Sequence, residues 1–210
     1  MKKVVIFDFD YTLGDSTEGI VQSINYASGR MGIESPGKDK IVKTIGMSLA
    51  KTYEALTGKN NPQEIKTFEK YFKEKADEVM VSNTSLYNGV AKMLENLHSR
   101  GLKTAIVTTK YHYRIEQILK VDNAVHLVDA IIGCEDVRLP KPAPEGIFKI
   151  KEQFNASLEE ILYIGDSLVD AETAQAAGVD FTAVLTGQVL RNEFEKYPYA
   201  SIINKVTDLG

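Results

Sequence analysis

A chain of 210 residues, 43% hydrophobic and 26% charged, can bury one sizeable core, or form one domain carrying a smaller insertion. Its net charge of −4 argues against the basic surface that nucleic-acid binding needs, so no nucleic acid is expected as a partner. The single cysteine, Cys134, excludes an internal disulfide and suits a reducing compartment.

The first apolar run, KVVIF at 3–7, is short and β-branched and leads directly into Asp8. It is too short for the apolar core of a signal peptide, and nowhere do 18 apolar residues run together. A soluble cytoplasmic protein with no membrane partner is the expectation. Residues 16–81 then show no convincing strand but several amphipathic helical patterns: GIVQSINYASGRMGI, SLAKTYEALTG and PQEIKTFEKYFKEKADEVM. Gly58 to Pro62 punctuates them as an inter-helix loop. From about residue 88 the chain alternates. Strands are expected at 103–108, 129–133, 161–165 and 181–186, and helices at 110–120, 142–154 and 168–177. These strands lack in-out alternation and so read as covered on both faces of a parallel sheet. The fold class is therefore α/β, a Rossmann-like parallel sheet core with an inserted all-helical domain. The core comprises 1–15 and 82–210, and the insert 16–81.

Ligands of open parallel sheets bind beyond the carboxyl ends of the strands. The residues at those ends are Asp8, Asp10 and Thr12, then Thr108 and Thr109, then Lys141 in LPKPAP, then Asp166 and Asp170 in GDSLVD, then Thr186 and Gly187. Four carboxylates and a lysine, with no histidine or cysteine, suit a hard divalent cation with oxygen ligands, most simply Mg²⁺. Such a cation lets Asp8 and Asp166 remain ionised side by side. Lysine and threonine beside it suit a doubly charged phosphate.

The order Asp-x-Asp-x-Thr-Leu, Thr-Thr, Lys-Pro-x-Pro and Gly-Asp-Ser-x-x-Asp resembles the haloacid dehalogenase-like superfamily, with phosphoglycolate phosphatase-like hydrolases the nearest subgroup. The resemblance extends over essentially the whole chain and makes the helical insert a cap domain. It implies that Asp8 is the nucleophile, forming an aspartyl-phosphate, and that Asp10 is the general acid and base. It further implies that the Asp8 side chain, the Asp10 backbone carbonyl and Asp166 hold Mg²⁺, with Asp170 reaching it directly or through water. Thr108, the Thr109 backbone amide and Lys141 would bind the phosphoryl group, Lys141 serving as a catalytic residue as well. The implied partner is a small phosphorylated metabolite, phosphoglycolate-like compounds first, acted on by a monomer. The alternatives are a sugar-phosphate mutase, a pyrophosphatase, and a catalytically silent binding module. The dehalogenases that name the superfamily lack the second aspartate, so Asp10 favours phosphoryl transfer. Similar mutases carry a histidine where this chain has Ile20 and an arginine in the cap loop, where IGMSLAK has none.

One position departs from the pattern. Tyr11 stands where the family usually has glycine, which implies a backbone with negative φ there and a side chain that either crowds or contacts the substrate. Other residues have plainer readings. Ser167 and Asp170 also form a capping box, and DSTE at 15–18 reads as a helix start. Lys110 either touches substrate or lies in solvent. Gly46-Met47-Ser48 is either an inter-helix turn or a specificity loop. His98, His112 and His126 share no metal-site spacing, and Cys134 reads as a small buried apolar residue. Tyr53, Phe68 and Phe72 are expected to build the insert's own core.

Overall fold

The structure, a computed structural model, describes residues 1–209. Its central strand, Val4–Phe7 (β1), is at most 2% exposed along its length because it has a parallel neighbour on each edge. On one side lie Lys103–Val107 (β2) and Ala130–Ile132 (β3); on the other lie Ile161–Gly165 (β4), Asp180–Val184 (β5) and Ser201–Ile203 (β6). The order is β3-β2-β1-β4-β5-β6, all pairs parallel. Val4 is in register with Lys103 and Ile161, and Phe7 with Ile106 and Ile164. The order reverses at β1, which makes the crevice beyond β1 and β4 the topological switch point.

Five of these strands occupy the runs read as strands from the sequence. The sixth, β6, was not anticipated: three half-buried residues at a sheet edge leave too little apolar signal. One sheet face is sealed by a core that joins Val4, Ile6, Val107, Tyr163 and Phe181 to helix residues Ile147, Ile150, Ala171 and Ala174.

The chain divides into two compact units: Met1–Asp15 with the chain from Leu86 onward, and Ser16–Ser85. The second runs past residue 81 because Val81–Asn83 adds a 3-10 turn. This helical unit consists of Thr17–Arg30 (α1), Lys38–Val42 (α2), Leu49–Thr57 (α3) and Pro62–Val79 (α4). Its core includes Ile20, Ile24, Ile41, Tyr53, Phe68 and Phe72. Helix α1 approaches the end of α4 closely: a Cβ on Gly19 would lie 2.9 Å from the Met80 sulfur. The loop before α4 follows its residues. Gly58 ends α3 in the left-handed region (φ 71°), and the Asn61 side chain accepts from the Gln63 and Glu64 amides ahead of Pro62 at the helix start. Helix α2 went unread because five residues make too short a pattern. Ser48 caps α3, accepting from the Lys51 amide, so Gly46-Met47-Ser48 is at least a helix-entry turn.

The core unit carries Val90–Ser99 (α5), His112–Val121 (α6), Glu145–Gln153 (α7), Leu168–Ala177 (α8) and Arg191–Phe194 (α9). In α5, Val90, Met93, Leu94 and Leu97 form the buried stripe of an amphipathic helix. Among the described residues no helix is long and apolar enough to cross a membrane.

Candidate active site

Strand β1 stops at Phe7, and the Asp8 amide continues the ladder by donating to the Ile164 carbonyl at 2.8 Å. The chain then turns tightly: Leu13 and Thr12 amides donate to the Phe9 carbonyl, and the Tyr11 amide donates to Gly14. This turn, rather than strand alternation, places Asp10. It demands a left-handed residue, and Tyr11 supplies it with φ 56°, not the negative φ expected from the sequence. That conformation costs a non-glycine residue about 1–2 kcal/mol. The Thr186 hydroxyl, donating to the Tyr11 carbonyl, and the burial of the ring help hold it there. Tyr11 is thus buried, 7% exposed, at this turn.

Asp8, Asp10, Asp166, Asp170, Lys110 and Lys141 are all buried. One carboxylate oxygen from each of Asp8, Asp166 and Asp170 lies within 4.8 Å of the other two. Lys141 Nζ reaches into this group, 2.9 Å from Asp8 Oδ1 and 2.6 Å from Asp170 Oδ1. Burial works against its charge, yet Asp170 and Asp8 hold its pKa above the ordinary lysine value. Tyr163, inside β4, completes the network: its hydroxyl donates to Asp170 Oδ1 at 2.7 Å and accepts from Lys141 at 3.1 Å. The Ser167 amide and hydroxyl donate to Asp170 Oδ2, while the Asp170 amide donates back to Ser167 Oγ, closing the capping box. Both oxygens of Asp170 are therefore occupied by protein donors.

Two glycines make this crowding possible. A Cβ on Gly165 would lie 2.6 Å from Asp170 Oδ2, and one on Gly187 would collide with the Asp166 carboxylate. Thr12 Oγ1 donates to Asp166 Oδ1 at 3.2 Å. Thr108 is 5% exposed and borders one small cavity with Lys141; Thr109 follows it half-buried. Lys110, left by the sequence between substrate contact and solvent, is buried, its Nζ 2.9 Å from Asp10 Oδ2.

The donor set fits a hard cation on physical grounds. Burial pushes the Asp8 carboxyl up to about 7 against the pull of Lys141, and Asp170 adds to the rise. Burial, Asp170 and Asp8 push Asp166 well above the carboxylate range. Asp8 and Asp166, which resist ionisation by themselves, become stable as anions when a divalent charge sits among the oxygens of the three carboxylates.

A stability consequence follows with a definite sign. Because both pKa values are raised, the folded state retains protons that the unfolded chain has released. Without divalent metal, stability is expected to fall as pH rises from about 4 through 7, the interval between the ordinary value and that of Asp8. Added Mg²⁺ is expected to flatten that fall, since it binds the ionised form. Thermal denaturation in EDTA and in Mg²⁺ across this range measures it; a pH-independent melt in EDTA would contradict the burial account.

Several residues lie apart. His98 bonds Asp129 and Thr104, His112 bonds Asp136, and His126 is exposed. Cys134 is half-buried with its thiol pushed up to about 12 by burial and Glu135, so it is more polar in setting than expected. Sequence reasoning passed over Tyr163, whose signal was a hydroxyl in an otherwise apolar strand. It also passed over Tyr87, a half-buried phenol pushed upward by burial, Asp15 and Asp166.

A parallel sheet of this order, with acidic and lysine side chains gathered at its switch point, defines a Rossmann-like hydrolase core with an inserted helical cap. Residues 5–184 match the haloacid dehalogenase-like hydrolase family, and the chain belongs to that family. Among curated proteins, it is 34% identical to a phosphoglycolate phosphatase of Cereibacter sphaeroides, over 87% of this chain and 85% of the relative. It is 28% identical to the pyrophosphatase PpaX of Bacillus mycoides, over 98% of this chain and 94% of the relative. Among solved structures, a haloacid dehalogenase-like hydrolase from Bacteroides fragilis superposes with a TM-score of 0.97 at 40% identity, covering 100% of both chains.

Proposed function

We propose that this chain is a Mg²⁺-dependent phosphatase that hydrolyses a small phosphomonoester, phosphoglycolate-like compounds first, through an aspartyl-phosphate on Asp8. The observation that carries this reading is the convergence of three buried carboxylates and Lys141 at the sheet's switch point. In this reading Asp8, the Asp10 backbone carbonyl and Asp166 would hold the ion, and Asp170, its oxygens already engaged, would act on it through water. When bound, Mg²⁺ neutralises the carboxylates and draws in phosphoryl oxygens.

The Asp8 carboxylate attacks phosphorus while Asp10 gives a proton to the departing oxygen. Asp10 then takes a proton from the water that cleaves the aspartyl-phosphate, restoring both residues. Thr108, the Thr109 backbone amide and Lys141 hold the phosphoryl oxygens and stabilise the charge that builds on them. The helical unit, read from the sequence as 16–81 and extending over Ser16–Ser85, is assigned to the cap and to substrate choice, and the rest of the chain to the catalytic core. Ile20, where similar mutases carry a histidine, is buried among the apolar residues of the helical unit, which favours hydrolysis. The cytoplasm and a monomeric state complete the reading.

Turnover of a generic aryl phosphate is expected in Mg²⁺, to vanish in EDTA and to return when Mg²⁺ is restored. A panel of phosphoglycolate, sugar phosphates, nucleotides and pyrophosphate then ranks substrates by kcat/KM. The pyrophosphatase relative is the specific reason to include pyrophosphate. No turnover across the panel would instead favour a silent binding module, and metal-independent turnover would overturn the Mg²⁺ dependence.

A further inference from the structure

We propose that Lys110 is a positioning residue for the leaving-group proton: it occupies one oxygen of Asp10 and leaves the other as the only oxygen that can serve the departing group. The inference rests on Asp10 being the general acid and base.

The Lys110 backbone is pinned on both sides. Its amide donates to Thr108 Oγ1 at 3.2 Å, and its carbonyl accepts from the Cys134 amide at 3.0 Å. From this fixed point the side chain, 5% exposed, runs to Asp10, whose side chain is 8% exposed. Nζ donates to Oδ2 at 2.9 Å. Asp10 Oδ1 is buried and accepts no hydrogen bond among the described residues. A buried carboxylate oxygen without a donor is costly, and leaving one here makes physical sense where a ligand supplies the partner.

The chemistry assigns the proton to a particular atom. An ammonium group only donates, and in a protonated carboxyl the carbonyl oxygen is a stronger acceptor than the hydroxyl oxygen, so the oxygen it contacts is favoured as the carbonyl. When Asp10 is protonated, the proton therefore sits on Oδ1 and Oδ2 is the carbonyl oxygen facing Lys110. In the first step the Asp8 oxygen bonds to phosphorus and the bond from phosphorus to the ester oxygen breaks. The electron pair goes to that oxygen, and the Oδ1 proton follows it. In the second step water oxygen bonds to phosphorus, the bond to Asp8 breaks, and a water proton returns to Oδ1. Without Lys110 the carboxyl can rotate and share its proton between two oxygens, one of them misdirected.

The test uses the full chain in saturating Mg²⁺ with a series of aryl phosphates, from the good leaving group of 2,4-dinitrophenyl phosphate to the poor one of phenyl phosphate. The readout is kcat/KM, which covers the steps through departure of the leaving group. Lys110→Met is expected to lose about 100-fold on phenyl phosphate and under about fivefold on the dinitrophenyl ester, because only the former needs the proton. Lys110→Arg is expected to recover most of that loss. In an Asp10→Asn background, Lys110→Met is expected to add nothing on phenyl phosphate, since the residues act as a unit. Lys110→Gln serves as a second neutral variant should Lys110→Met fail to fold, judged by its melting transition. An equal loss on both esters, or additive losses in the double variant, would make Lys110 a structural counter-charge and overturn the proposal. If Asp10→Asn alone showed no dependence on the leaving group, the acid assignment to Asp10 would fall first and this inference with it.

Discussion

Asp8→Asn is expected to reduce turnover of every phosphoester by about 10⁴-fold or more while leaving the fold intact. The amide is close to the carboxylate in shape, so the hydrogen bond from the Asp8 backbone amide to Ile164 and the packing of β1 are retained. What disappears is the proposed anionic nucleophile. The stability change should be small or favourable in EDTA at pH 8, because the wild-type carboxyl, lifted to about 7 by burial, must there be ionised in a buried site. Steady-state kinetics and a thermal melt on one preparation measure both effects. Turnover near the wild-type rate in a folded Asp8→Asn protein would show that another group attacks phosphorus.

Lys141→Met is expected to lower both stability and turnover. Its ammonium lies within 3 Å of Asp8 and Asp170, and its side chain is 3% exposed. Removing one partner from a buried ionic group strands the others, an effect of about 3–5 kcal/mol in metal-free protein. The Tyr163 hydroxyl still donates to Asp170, so the loss should fall mainly on Asp8. Turnover should fall about 10²–10³-fold, the scale of losing one charged donor to a developing oxyanion. Mg²⁺ should restore part of the stability, since it also neutralises carboxylates, but not the turnover. Chemical denaturation in EDTA and in Mg²⁺ separates the two. An unchanged denaturation midpoint in EDTA would show that Lys141 does not hold the acidic group together.

The strand-end residues were legible because a parallel sheet delivers every carboxyl end to one rim, so Asp8, Thr108 and Asp166 could be gathered from order alone. Asp170 was legible twice, as cap and as site residue, and the capping box with Ser167 and the bond to Lys141 coexist. Tyr11 was misjudged because sterics forbid a positive φ only on average; here the turn's hydrogen bonds and the Thr186 hydroxyl offset the local cost. Lys110 was left between two readings because a flexible side chain's direction depends on what packs around it. Tyr163 was hidden inside a strand whose apolar neighbours dominate the pattern.

By itself, then, the amino-acid order determined the class of fold, the helical character of the insert and the residue types at the site, since periodicity and strand-end position are local properties read along the chain. Only the tertiary structure decided which charges meet: that Lys141 bridges Asp8 and Asp170, that Lys110 faces Asp10, and that glycine is required at 165 and 187. Those pairings join residues far apart in sequence. Electrostatic energy depends on separations of a few ångströms and on the exclusion of water, and neither is defined until the chain has packed.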